Sequence, residues 1–184
     1  MPKLLHKTNI DSEIKAYWGD LARIKQQVGS ATDTMNAYDF MEYVKREPIG
    51  VGPYPGVSLF ESSNRVFSDL VILLGVKSLL YEHARQFPFG EYLVTLGNGQ
   101  GMDVTANSGK RHFAGEAFNV AKSFFDTKLG KTRQALLAVT ATHKLIMFNA
   151  DACSPSRQPL SQDSNGLYML AVDVGEWVVS RQVV

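Results

Sequence analysis

Residues 91–120 read EYLVTLGNGQGMDVTANSGKRHFAGEAFNV, and the rhythm of this stretch decides the fold. Short runs suited to extended backbone, 91–96, 102–106 and 111 to about 120, are broken by Gly97-Asn98-Gly99-Gln100-Gly101 and by Asn107-Ser108-Gly109. Glycine and asparagine accept the backbone conformations that tight connections need, so the stretch predicts three antiparallel strands joined by hairpins. Side chains alternate along a strand. Asp103 therefore shares a face with Thr105, and Glu116 shares one with Ala114 and Phe118.

Working upstream, Ser58 followed three residues later by Glu61 forms a capping box, and the helix it opens runs to about Tyr81. Its first half carries Glu61, Asn64, Arg65, Ser68 and Asp69 on one polar face, whereas 70–80 is apolar on most sides. Such a helix lies across a sheet with its N-terminal part at an edge. The apolar run is interrupted by Lys77 and Ser78 and falls short of the roughly 20 residues a bilayer requires, so no membrane partner is expected. Ile14, Tyr17, Trp18, Leu21, Ile24 and Val28, spaced by three and four, predict a helix over 11–28 that Gly29 stops. A second helix over 34–46 places Ala37, Phe40, Met41 and Val44 on one side and ends before Pro48. The turn-rich segment 48–56, with three prolines and three glycines, separates this helical cap from the rest.

Downstream, 123–139 is helical, with Phe124, Phe125, Leu129, Leu136 and Leu137 as expected core contacts. The continuous apolar runs 145–148 and 167–172 suit strands buried on both faces, joined by a polar loop over 151–166. The expected architecture is one α/β (α+β) domain over 1–184. Helices and loop in 1–56 pack on a core, 57–184, built as helix, three-stranded meander, helix, strand, with a further strand.

Composition narrows the chemistry. A chain of 184 residues that is 45% hydrophobic suits one core. Cys153 is the only cysteine, so no intrachain disulfide or paired-cysteine metal motif can form, which suits a reducing compartment. The first eight residues lack the apolar core of a signal peptide, and a cytoplasmic location is expected. A net charge of +1 argues against a uniformly basic nucleic-acid coat. Locally, however, 104–133 holds six basic residues, Lys110, Arg111, Lys122, Lys128, Lys131 and Arg133, against Glu116 and Asp126. Either a polyanion docks there, or these are ordinary solvated strand edges and helix faces. Gly130-Lys131-Thr132 lacks the strand-to-helix context of a phosphate loop, and the glycines of 97–101 precede a strand where a dinucleotide site needs a helix. The four histidines have no partner at zinc-binding spacing.

What survives is the pair Asp103 and Glu116, on neighbouring strands otherwise suited to burial. Two carboxylates brought together there hold a hard divalent cation more comfortably than they tolerate each other. The alternative leaves one acid exposed on a hairpin and the other salt-bridged to Lys110 or Arg111.

The order helix, three-stranded meander, helix, strand over roughly 58–172 resembles the core of the PD-(D/E)XK, or restriction-endonuclease-like, nuclease superfamily. Gly101-Met102-Asp103-Val104 looks like the family's acid in the second core strand, and Gly115-Glu116-Ala117-Phe118 like its acid in the third. The resemblance implies metal-dependent hydrolysis of DNA by water, with Mg²⁺ as cofactor held by Asp103 and Glu116. Glu61 is the matching helical acid for accessory metal ligation. Where the family has a lysine this chain has Phe118, and Lys128 on the following helix is the expected substitute, ahead of Lys122. Lys110, Arg111, Lys122 and Lys131 are the expected nucleic-acid contacts. DNA is the expected partner and a homodimer the expected assembly. The alternative function is a non-catalytic nucleic-acid-binding or protein-assembly module, which Phe118 and the near-neutral charge favour.

Overall fold

Residues 2–97, 99–153 and 159–175 are described by a computed structural model. Its elements are β1 (Lys3–His6), α1 (Ile10–Thr32), α2 (Ala37–Arg46), α3 (Leu59–Tyr81), β2 (Glu91–Val94), β3 (Val104–Ser108), β4 (Arg111–Phe118), α4 (Phe125–Leu137), β5 (His143–Asn149), β6 (Leu160–Gln162) and β7 (Leu167–Val172). The result is an α+β fold around one seven-stranded sheet of order β1-β2-β3-β4-β5-β7-β6. Asn98 of the glycine turn and residues 154–158 of the expected polar loop lie outside the described residues.

Contacts divide the chain into two compact units, Asp11–Val66 on one side and Met1–Ile10 with Phe67–Val184 on the other. The division falls inside α3, past the proline and glycine loop at which the sequence suggests a boundary. In the smaller unit, α1 runs through Gly29 to Thr32, because one glycine in a long helix costs only about 1 kcal/mol. Asn36 caps α2 by accepting the Asp39 N–H at 3.0 Å. The expected apolar side of α2 does not become core. None of its residues is buried, and Phe40 and Met41 are exposed.

In the larger unit, β2, β3 and β4 form the antiparallel meander that the glycine turns predict. The parallel strands β5 and β7 then continue the sheet from β4. Leu5, Tyr92, Val94, Val104 and Phe113 are buried on one face. On that same face α3 approaches closely at Gly75, where an added Cβ would meet Met147 Sδ at 2.5 Å. Every residue from Leu70 to Val76 is buried, which no other helix matches. The opposite face packs Ala114, Phe118, Ile146, Phe148 and Leu167 against Phe125 and Leu136 of α4.

Two expected core contacts in α4 are overturned. Phe124 and Leu137 are exposed, since each helical residue turns the side chain by about 100° and Phe125 and Leu136 take the buried positions. Two strands have no counterpart in the sequence reading. β1 has four residues and pairs with β2, and β6 has three and pairs with β7. Runs this short give alternation too few positions to register.

Candidate functional site

The β3–β4 register pairs Val104 with Gly115, so Asp103, immediately before β3, stands across from Glu116. Residues directly opposed across a sheet point to the same face. Thr95 N–H donates to the Asp103 carbonyl at 2.8 Å and extends the β2–β3 pairing to this position. The Asp103 side chain is fixed as well, with Oδ2 accepting the Ala117 N–H at 2.8 Å. The two carboxyls converge closely enough that each perturbs the ionisation of the other.

They open into a cavity of about 460 Å³, lined also by Asp69 and Ile72 of α3, the glycine turn, Phe118 and Lys128. Asp69 is only 1% exposed, and its Oδ1 accepts the Gly97 N–H at 2.8 Å. Gly97 has φ +78, a left-handed conformation that a side chain disfavours, which lets the turn present its N–H to the helix. The lysine ammonium arrives from α4, with Lys128 Nζ 5.9 Å from the centroid of the Phe118 ring.

The electrostatics follow from burial. Desolvation pushes the Asp103 carboxyl above the usual carboxylate range, with Asp69 acting in the same direction. The Ala117 N–H, the Glu116 hydrogen bond and Lys128 pull it back. Burial, then the charge and hydrogen bond of Asp103, raise Glu116 to about 7, against the opposing pull of Lys128. Near neutral pH Glu116 therefore carries a proton part of the time, and a bound cation would displace it.

Among the residues singled out from the sequence, the fold brings Asp103, Glu116 and Lys128 into this one cavity. Glu61 is not there. Its N–H donates to Ser58 Oγ at 3.2 Å, and its carboxylate pairs with Arg65 one turn on. The α3 acid that lines the cavity is Asp69, two turns further along the same helix face. Glu61, Arg65 and Asp69 are spaced by four, so spacing alone does not choose between the acids. The usable signal is that Asp69 abuts the apolar run from Leu70, where a carboxylate is rare unless it has a partner.

Arg111 opens β4 at its far end, five residues from Glu116 and so about 17 Å away, and Lys110 lies in the turn just before it, which separates both from the carboxylates. Lys122 is exposed in a 3-10 turn over Lys122–Phe124, and Lys131 is exposed on α4 one turn beyond Lys128.

Among the described residues no three His, Cys, Asp or Glu side chains gather tightly enough to hold an ion by themselves. A two-carboxyl site still suits Mg²⁺, which keeps several waters and completes its shell with substrate phosphates. Among the described residues, no helix is long and apolar enough to cross a membrane. Comparison with known protein families, with curated proteins and with solved structures finds no match.

Proposed function

We propose that the Asp103–Glu116 cavity hydrolyses phosphodiester bonds in DNA with the help of Mg²⁺. The observation that carries this reading is the convergence of two carboxyls from neighbouring strands on one cavity that a helix-borne ammonium also enters. The order α3, β2-β3-β4, α4, β5 adds support, since it is the order in which the PD-(D/E)XK core presents its acids.

Asp103 and Glu116 would hold the cation, with release of the proton that Glu116 keeps near neutral pH. A bound Mg²⁺ supplies a Lewis acid that makes water a better nucleophile and offsets phosphate charge. The chain supplies the rest. Ala117 N–H fixes the Asp103 carboxylate, and Lys128 places positive charge where charge develops on the phosphoryl oxygens. Water adds to phosphorus, one P–O ester bond breaks, and a phosphate monoester and an alcohol leave.

The test is incubation of plasmid and linear DNA with Mg²⁺ or Mn²⁺, beside Asp103→Ala and Glu116→Ala. Cleavage by the wild type that both substitutions abolish is the expected result, and cleavage that survives both overturns the assignment. A second reading, a nucleic-acid-binding module without catalysis, is favoured by Phe118, a core residue where the family motif has lysine. It takes over if the wild type binds DNA and never cuts it.

A further inference from the structure

The positions of α4 that face the core are Phe125, Leu129, Thr132 and Leu136. Phe124, Lys128 and Lys131 each stand one residue before one of them and so form a second stripe along the helix edge. Spacings of four and three make consecutive members of this stripe neighbours. The middle member, Lys128, lines the carboxylate cavity. Phe124 is 65% exposed, so its ring is open to a stacking partner. The stripe contains no acid, since Asp126 lies on the other flank of the helix, where Arg133 is paired with Asp163 at 2.8 Å. Exposed Lys122 lies two residues before Phe124 in the sequence, and exposed Lys128 and Lys131 lie four and seven residues after it.

An exposed aromatic ring on the same helix edge as exposed lysines matches a strand whose bases are free to stack. In a duplex the base faces are already stacked on one another, and Phe124 finds no partner there. In a single strand, one base covers the ring while flanking phosphates meet the lysines. We propose that the Phe124–Lys128–Lys131 edge binds single-stranded DNA, with a base on Phe124, phosphates on Lys122 and Lys131, and the next phosphodiester directed to Asp103 and Glu116. The inference rests on the phosphodiesterase reading for the fate of that bond, but not for the binding.

The test is therefore a binding measurement in EDTA, where no cleavage occurs. Fluorescence anisotropy with labelled oligothymidine and with a blunt duplex of equal length compares the wild type, Phe124→Ala and Phe124→Trp. Because Phe124 is exposed, neither substitution threatens the core. Phe124→Ala is expected to weaken oligothymidine binding on the order of tenfold or more and leave duplex binding unchanged, while Phe124→Trp retains the affinity. Replacing Lys122 and Lys131 by alanine is expected to flatten the salt dependence by roughly 0.7 per lost phosphate contact. Equal affinity of Phe124→Ala and wild type for the oligothymidine overturns the proposal, and so does an equal loss on the duplex. Single-strand binding through Phe124 without Mg²⁺-dependent cleavage leaves the interface standing and removes the phosphodiesterase reading. Cleavage that ignores Phe124 does the reverse.

Discussion

Glu116→Gln isolates the cost of the carboxyl pair. In the unfolded chain Glu116 titrates at its ordinary value of 4.5, and in the fold at about 7, chiefly because burial and Asp103 disfavour its charge. Between these values the folded state keeps a proton that the unfolded state has lost. Stability contributed by this group is therefore complete below about pH 4.5, declines as pH rises through 7, and is absent above. At about 1.4 kcal/mol per pH unit the interval corresponds to roughly 3 kcal/mol, and because Glu116 is only half-buried, about 2 kcal/mol is expected after solvent screening. Glutamine keeps a donor toward Asp103 and never ionises. At pH 8 the variant should be more stable than wild type by about 2 kcal/mol, which for a chain of this size is a rise in Tm of about 4–8 °C. At pH 5 the two should nearly coincide. Thermal unfolding followed by circular dichroism at both pH values reads this directly. Adding Mg²⁺ at pH 8 should then raise the Tm of the wild type and leave that of Glu116→Gln almost unmoved. A Tm difference that is the same at pH 5 and pH 8 would refute the argument, because it would show that Glu116 ionises freely in the fold.

The remaining expectations concern the cation and the core. Lys128→Ala removes the one charge that lowers both carboxyls, so the pH at which wild-type stability falls should move upward, as read from the same unfolding series. An unmoved profile would mean that the ammonium does not face the pair. Leu73→Ala, at a side chain only 1% exposed beneath the sheet, should cost about 2–5 kcal/mol in urea unfolding, and wild-type stability would contradict its place in the core.

The sequence carries the meander and the long helix because their signals are local. Ser58 and Glu61 mark where α3 begins, and the turns at 97–101 and 107–109 mark where the strands reverse. The parity of Asp103 and Glu116 was legible too, since alternation is fixed once a strand is assigned. What parity does not give is register, and register puts the two acids opposite each other. The choice between Glu61 and Asp69 was likewise out of reach, because it depends on how far α3 slides along the sheet. The exposed state of Phe124 beside buried Phe125 turns on a single residue of helix phase, and two adjacent phenylalanines leave that phase undetermined. β1 owes its place to its partner strand, and four residues contain no trace of it.

The same geometry explains why Phe118 and Lys128 belong together. Past Glu116 the same face of β4 runs on from the cavity into the core, and Phe118, which lines the one, packs in the other 6.0 Å from both Phe125 and Phe148 between ring centroids. A lysine at 118 would have its stem among these rings and its ammonium desolvated, at a cost of several kcal/mol unless a carboxylate compensated it. A helix passing over the same ring avoids that cost. From α4, Lys128 keeps its stem at the surface and lays its ammonium over the face of Phe118, an attraction of about 0.5–2 kcal/mol that holds it at the cavity wall without claiming either carboxyl outright. The Phe118 ring is thus the floor on which the Lys128 ammonium rests. A bulky aliphatic residue at 118 would fill the core equally well yet offer Lys128 no such hold.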